Sequence, residues 1–283
     1  MIDLSAREDL QQLPGVVASL RRALPLESRP LLVGATARDI LLSFAHGIQL
    51  ERATLDIDFA FAIKSWKNYT EMRDALVASG EFTLAAGHQN RMVFRGGTRV
   101  DFIVFGDVEG PDHKIAWPPD GDVVMNVSGY REAMADAIQV SLPGGERVDV
   151  ISLPALALLK LFAWRDRRNT VPAYGKDAMD LWSVLANYRA AGNDGRAYDE
   201  AAHLLDEPDY DYLRVGAWLL GKDVRTLLSN GDGIVLESAL ELLAAEVNSE
   251  SLDLARDMRN GDTQVAVDLL RAMISGVRGD AKP

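Results

Sequence analysis

Apolar and polar side chains alternate at the centre of the first half of the chain, a pattern that predicts a β-strand with one buried face. Within residues 54–59, the apolar side chains alternate with Thr54, Asp56 and Asp58, so both carboxylates are expected on the same side of the strand. Two like charges side by side repel each other unless a proton or a cation lies between them. The pattern therefore predicts a site as well as a strand.

Other stretches of the first half predict a mixed sheet with helices packed on it. Apolar residues three and four positions apart predict helices, and Thr36 and Ser65 are expected to cap two of them at the N-terminus. Glycine-rich turns at 96–97 and 143–146 predict two hairpins. The predicted helices cover 5–25, 37–46 and 65–79, the strands cover 31–33, 54–59, 82–84, 91–95, 98–105, 137–142 and 147–151, and a long loop covers 106–121.

From Ser152 onward the pattern is helical throughout, with one helix expected to end near Arg167 and the next to begin at Lys176. The sequence therefore predicts an α+β fold. We expect an N-terminal domain with a mixed sheet at residues 1–151 and an all-α domain at residues 152–283.

Composition excludes several classes of protein. The 283 residues carry a net charge of −12, which argues against coating nucleic acid along an extended surface, although Lys160 to Lys176 form a local basic island. The absence of cysteine excludes disulfides and thiolate sites. No apolar run approaches a membrane span, and the acidic N-terminus does not resemble a secretion signal, so we expect a cytoplasmic protein without a membrane partner.

The Asp56 and Asp58 pair follows an apolar run that ends at Gly34, and the two features together indicate a chemistry. Carboxylate oxygens are preferred ligands of Mg2+, and backbone N–H groups at a helix start can receive a phosphate. This arrangement resembles the nucleotidyltransferase superfold, in which a glycine turn and a helix precede an Asp-x-Asp strand. The resemblance implies Mg2+ or Mn2+ at the two acids and a nucleoside triphosphate at Gly34, Ala35 and Thr36. The alternative is a strand with solvated acids.

Asp101 lies inside an apolar strand, where an unpaired carboxylate is costly. The resemblance implies that Asp101 is a third carboxylate, which assists the metal ions and acts as a base. A structural alternative is a surface acid, either solvated or paired with Arg99 or Arg91.

The helical half of the sequence resembles one particular family within the nucleotidyltransferase superfold. A helix with Lys160 and Arg165 precedes one that begins Lys176-Asp177-x-x-Asp180, and this order resembles the AbiEii/AbiGii-type nucleotidyltransferases, which include toxins of type IV toxin–antitoxin systems and the mycobacterial MenT enzymes. It implies that Lys160 holds the triphosphate, that Arg165 and Lys176 contact the nucleotide, and that Asp177 orients the lysine or the nucleotide. It also implies an RNA acceptor such as tRNA, or a protein acceptor, and a cognate antitoxin.

The sequence leaves three alternatives open. Lys160, Arg165, Asp177 and Asp180 could form a purely structural ion-pair network. The segment Gly34–Leu42 also resembles the CCA-adding and poly(A) polymerases, and Arg38 as a nucleotide-binding residue belongs to that resemblance. A non-catalytic nucleotide sensor of the same fold is the third. The predicted catalytic residues are Asp56, Asp58, Asp101, Lys160 and Asp177.

Overall fold

A computed structural model of the chain describes residues 1–10, 12–25, 29–50, 56–168, 175–205, 211–231, 233–259 and 261–280, so Thr54 and Leu55 of the predicted strand lie outside it. The described chain forms two compact units. The first contains Met1–Ile40 and Glu51–Ser152, and the second contains Leu41–Leu50 and Leu153–Pro283. This division places residues 41–50 with the helices of the second half rather than with the sheet.

The first unit is built on a mixed sheet, which has eight strands in the described residues. The sheet strands are β1 (Ile2–Asp3), β2 (Leu31–Val33), β3 (Ile57–Ile63), β4 (Phe82–Leu84), β5 (Arg91–Phe94), β6 (Thr98–Gly106), β9 (Ile138–Ser141) and β10 (Arg147–Val150), and a separate hairpin pairs β7 (Lys114–Ala116) with β8 (Val124–Asn126). Their order across the sheet is β1-β9-β10-β2-β3-β6-β5-β4, and β3 runs antiparallel to β2 and parallel to β6.

Four helices of the first unit accompany these strands in the described residues. They are α1 (Leu13–Ala23), α2 (Gly34–Asp39), α3 (Trp66–Ala78) and α4 (Tyr130–Ala135). The Ser65 side chain accepts a hydrogen bond from the Asn68 N–H and caps α3 as predicted. α2 continues into a π-helical turn over Ile40–Phe44.

Two predicted elements begin elsewhere than expected. The prediction that Thr36 caps a helix from residue 37 is wrong, because α2 already begins at Gly34 and Thr36 lies inside its first turn. The helix predicted over 5–25 covers only Leu13–Ala23, with a proline in the first turn, where the missing N–H costs nothing. The predicted loop over 106–121 contains β7, and buried Trp117 anchors it.

The second unit is helical in its described residues. Its core is formed by closely packed helices: a Cβ placed on Gly276 would lie 2.1 Å from the carbonyl oxygen of Trp218. None of the helices in the described ranges is both long and apolar enough to cross a bilayer. The helices are α5 (Leu153–Arg167), α6 (Gly175–Asn187), α7 (Asp194–Asp199), α8 (Ala202–Leu205), α9 (Tyr212–Leu228), α10 (Ile234–Asn248), α11 (Asp253–Asp257) and α12 (Thr263–Arg278).

Candidate functional site

The acids of the first unit lie on neighbouring strands of the sheet. Asp58 on β3 is paired in register with Asp101 on β6, and Asp101 is paired with Arg91 on β5. Asp56 precedes β3 by one residue and is half-buried like Asp58, whereas Ile57 between them is buried. The strand period thus places the two carboxylates on one side, as the sequence predicted.

The glycine turn lies directly against this strand. Gly34 has a φ of +71°, and a Cβ built on it would lie 2.2 Å from the Asp58 Oδ2. The Thr36 hydroxyl donates a hydrogen bond of 2.8 Å to the carbonyl oxygen of Asp56. The two halves of the sequence motif are therefore in contact: the helix that follows β2 begins against one acid and is tied to the backbone of the other.

Two arginines engage acids of this group. The Arg99 Nε donates to the Asp56 Oδ1 at 2.6 Å. Arg91 forms a two-pronged pair with Asp101, in which Nε and Nη2 each lie 2.6 Å from a carboxylate oxygen. Of the partners that the sequence left open for Asp101, the structure pairs it with Arg91.

The group that this site would hold is a hard divalent cation. Asp56 and Asp58 supply the carboxylate oxygens that such an ion prefers, and Mg2+ is commonly bound by one or two carboxylates together with substrate phosphates. In the described part of the chain, no group of three or more acidic, histidine or cysteine side chains is arranged to hold a metal ion. Arg91 engages both oxygens of Asp101, whereas Arg99 engages only one oxygen of Asp56, so the residues fit a site of two carboxylates, Asp56 and Asp58, better than a site of three.

The predicted nucleotide-binding residues Ala35 and Arg38 lie in α2 and are buried. The Arg38 guanidinium is only 2% exposed and donates to the Asp39 Oδ1 from Nε at 2.9 Å and from Nη2 at 2.5 Å. The structure therefore buries Arg38 in α2 and pairs it with the neighbouring Asp39.

The second unit contains a buried ion-pair cluster. The Lys160 Nζ on α5 lies 3.0 Å from Asp177 and 2.6 Å from Asp180, both on α6. Arg167 approaches the other oxygen of Asp177 at 3.3 Å. Burial alone would lower the pKa of Lys160, but the attraction of Asp180 and Asp177 outweighs it and raises the pKa above its ordinary value. The lysine is therefore held as a cation.

Lys160, Asp177 and Asp180 are thus in contact, and they are three of the four residues of the purely structural ion-pair network that the sequence left open. The fourth, Arg165, pairs with Asp166 on its own helix at 2.9 Å and stacks on the Phe162 ring. Lys176 is exposed at the start of α6. None of these contacts tests whether Arg165 and Lys176 bind the nucleotide, so these two roles stay predictions.

Comparison with known families distinguishes the AbiEii/AbiGii-type resemblance from the resemblance to CCA-adding and poly(A) polymerases. A sequence model described as the nucleotidyl transferase AbiEii toxin of type IV toxin–antitoxin systems matches residues 19–269. The chain belongs to this AbiEii family. The protein is accordingly a nucleotidyltransferase, and the matched range includes the glycine turn, the Asp-x-Asp pair and the Lys160 helix.

Two further comparisons accompany the AbiEii match. Among solved structures, an antigenic nucleotidyltransferase-like protein from Paracoccidioides brasiliensis is similar, with 17% sequence identity, a TM-score of 0.40, and coverage of 71% of this chain and 92% of that chain. Among curated proteins, none matches. The family match alone therefore supports the assignment.

Proposed function

We propose that this AbiEii family member transfers a nucleoside monophosphate from a nucleoside triphosphate to a hydroxyl group of an RNA, such as tRNA, or of a protein. The observation that carries the proposal is the contact between the glycine turn and the acid pair. Only glycine fits at position 34 without displacing the Asp58 carboxylate. A helix-start turn that lies against the Asp58 carboxylate and is hydrogen-bonded to the backbone of Asp56 is an arrangement suited to a metal–triphosphate complex.

In the proposed reaction, the acceptor hydroxyl oxygen forms a bond with the α-phosphorus and its proton passes to solvent, while the bond from that phosphorus to the bridging oxygen breaks and pyrophosphate leaves. Asp56 and Asp58 would hold Mg2+ or Mn2+, which when bound neutralises phosphate charge and lowers the pKa of the acceptor hydroxyl. The Arg99 guanidinium would leave Asp56 as the cation binds. The backbone N–H groups that begin α2 would orient phosphate oxygens.

By the family pattern, Lys160 would hold the triphosphate and Asp177 would orient the lysine or the nucleotide. Their direct contact is equally the contact expected of a structural cluster. A cognate antitoxin as partner, and the cytoplasm as location, are likewise proposals that follow from the toxin family.

The deciding test is a transfer assay with an isosteric variant. Wild-type protein, Asp58→Asn and a control variant Asp149→Asn are each incubated with one radiolabelled nucleoside triphosphate at a time, Mg2+ and total tRNA. Asp149 is a suitable control because it is a sheet carboxylate paired with an arginine, Arg29, as Asp101 is with Arg91. We expect labelled RNA or labelled protein with the wild type and the control, and at least about 100-fold less with Asp58→Asn, the cost of one strong electrostatic stabiliser.

Equal labelling by Asp58→Asn and wild type would overturn the assignment of the acid pair. Nucleotide binding that requires Mg2+ and Asp58, without transfer to any acceptor, would instead support a nucleotide sensor. Labelling by the wild type also identifies the base and the class of acceptor in the same experiment.

A further inference from the structure

Arg91 is an oriented cation beside the acid pair. It lies opposite Asp101 on the antiparallel pair of β5 and β6, and Asp101 in turn lies opposite Asp58 on β3. Two parallel contacts of 2.6 Å to Asp101 fix the plane of the guanidinium. Directly opposite residues of neighbouring strands share one face of the sheet, so Arg91, Asp101 and Asp58 lie on the same face, where the Arg91 and Asp101 side chains are 26% and 16% exposed.

One edge of the Arg91 guanidinium is available for a ligand. Nε and Nη2 bind Asp101, and within the described ranges the side chain makes no further hydrogen bond or ion pair, so Nη1 remains for an anion. The hydrogen bond to Asp101 raises the pKa of Arg91 despite partial burial, and attraction to Asp101, Asp56 and Asp58 raises it further. The guanidinium therefore stays charged and within electrostatic reach of the acid pair.

The other arginines near the acids are less suited to bind an anion. Arg38 is buried against Asp39. Arg99 is tied to Asp56, one of the carboxylates that the cation would need. Arg91 is instead paired with Asp101, which lies outside the proposed cation site formed by Asp56 and Asp58.

Building on the proposed function, we propose that Arg91 binds the phosphate chain of the nucleoside triphosphate, and that Asp101 is its positioning residue and not a metal ligand. A divalent cation neutralises only part of the charge of a triphosphate, so a second cation close to the metal seat has a clear electrostatic role. A guanidinium held in one plane presents its remaining N–H groups in a geometry that matches phosphate oxygens. The carboxylate of Asp101 supplies that fixed plane.

The test measures equilibrium binding without turnover. Affinities for the nucleoside triphosphate used by the wild type, for pyrophosphate and for the unphosphorylated nucleoside are measured for wild type, Arg91→Gln, Arg91→Lys and Asp101→Asn. Mn2+ affinity of the nucleotide-free protein is measured by electron paramagnetic resonance, and a thermal unfolding curve checks that each variant is folded. Arg95→Gln is the control, because Arg95 makes a similar pair with Glu81 through Nε and Nη2.

We expect Arg91→Gln to weaken binding of the triphosphate and of pyrophosphate about 10-fold or more, the usual worth of a hydrogen bond to a charged group, and to leave nucleoside and Mn2+ binding unchanged. Arg91→Lys should recover part of the loss, because it keeps the charge without the planar fork. Asp101→Asn should weaken triphosphate binding in the same direction and leave Mn2+ affinity near that of the wild type.

Two results would overturn the inference. One is triphosphate affinity in folded Arg91→Gln equal to that of Arg95→Gln, which would make Arg91 a purely structural partner. The other is loss of Mn2+ binding in Asp101→Asn comparable to the loss in Asp58→Asn, which would make Asp101 a ligand. Both leave nucleotidyl transfer by the wild type intact, whereas a wild type that neither binds nor transfers any nucleotide would remove the proposed function together with this inference.

Discussion

At the scale of single residues, Gly34 is the position with the least freedom in the candidate site. Its φ of +71° is strained for any residue with a side chain, and a Cβ would overlap the Asp58 carboxylate. Gly34→Ala should therefore cost about 1–2 kcal/mol of stability from the backbone alone and should also displace Asp58. We expect a lower melting temperature together with loss of Mn2+ binding, measured on the same preparation.

Gly80→Ala separates these two effects of the Gly34 substitution. Gly80 has a similar φ of +73°, but a Cβ there would meet nothing within 4 Å. It should lower the melting temperature and retain Mn2+ affinity. If Gly34→Ala also retained Mn2+ affinity, the close approach of the turn to Asp58 would have no bearing on cation binding.

The residue scale also shows which parts of the site were predictable. The placement of Asp56 and Asp58 on one side follows from the two-residue period of a strand, which is local in sequence. The partner of Asp101 was left open between Arg99 and Arg91, because that choice depends on the register of the hairpin between β5 and β6 and on which neighbouring strand presents an acid. Arg99 and Asp56 lie 43 positions apart along the chain, so predicting their contact requires knowledge of the strand order in the sheet.

At the scale of elements, helices and strands with a strong local sequence pattern were predicted, and strands with a weak pattern were missed. The strands predicted at 82–84, 91–95 and 98–105 are observed within one residue of those bounds, and the helix that Ser65 was predicted to cap is capped by it. β1 has two residues, too few for any period to be detected, and β7 lies in a segment rich in Gly, Pro and Asp, a composition that predicts a loop. Pairing with β9 and β8, respectively, defines these two strands, and pairing partners are not encoded locally.

Helix packing in the second unit gives a prediction at this scale. The backbones of α9 and α12 approach so closely that a Cβ on Gly276 would lie 2.1 Å from the Trp218 carbonyl oxygen and 2.9 Å from the Lys222 nitrogen. Because backbone atoms cannot rotate away as a side chain can, Gly276→Ala should force the helices apart and cost about 1–3 kcal/mol. Urea unfolding followed by circular dichroism measures this loss.

A second helical glycine provides the comparison. Gly195 lies in α7, and a Cβ there would meet nothing within 4 Å. Gly195→Ala should leave stability unchanged or raise it by up to about 1 kcal/mol, because alanine has the higher helix propensity. Equal effects of the two substitutions would contradict the close approach of α9 and α12.

At the scale of the whole molecule, a net charge of −12 makes the response to acid informative, and the described part of each unit contains a glutamate whose pKa is strongly lowered by folding. In the first unit, hydrogen bonds from Ser19, Arg95 and Arg22 lower the pKa of Glu81 to about 2. In the second, hydrogen bonds from Arg196 and Lys222 lower the pKa of Glu200 to about 2. Both values lie well below the ordinary glutamate value of 4.5.

The sign of the pH dependence follows from these directions. A carboxyl group whose pKa is lowered by folding stabilises the folded state fully above its unfolded pKa, and this contribution disappears as the pH falls toward the folded pKa. Glu81 and Glu200 should therefore make stability fall between about pH 4.5 and about pH 2. In Glu81→Gln, the first unit should be less stable at neutral pH and should lose less stability across that interval than in the wild type.

Urea midpoints measured at several pH values test this expectation, with Glu71→Gln as the control. Glu71 is an exposed carboxylate whose described ion pair is a 3.6 Å contact with Lys67, so its removal should leave the pH profile as it is in the wild type. A profile for Glu81→Gln that is parallel to the wild-type profile would mean that the Glu81 cluster does not contribute to acid sensitivity. A flattened profile for Glu81→Gln and an unchanged one for Glu71→Gln would locate the acid response in the contacts that join α1 to the ends of β4 and β5.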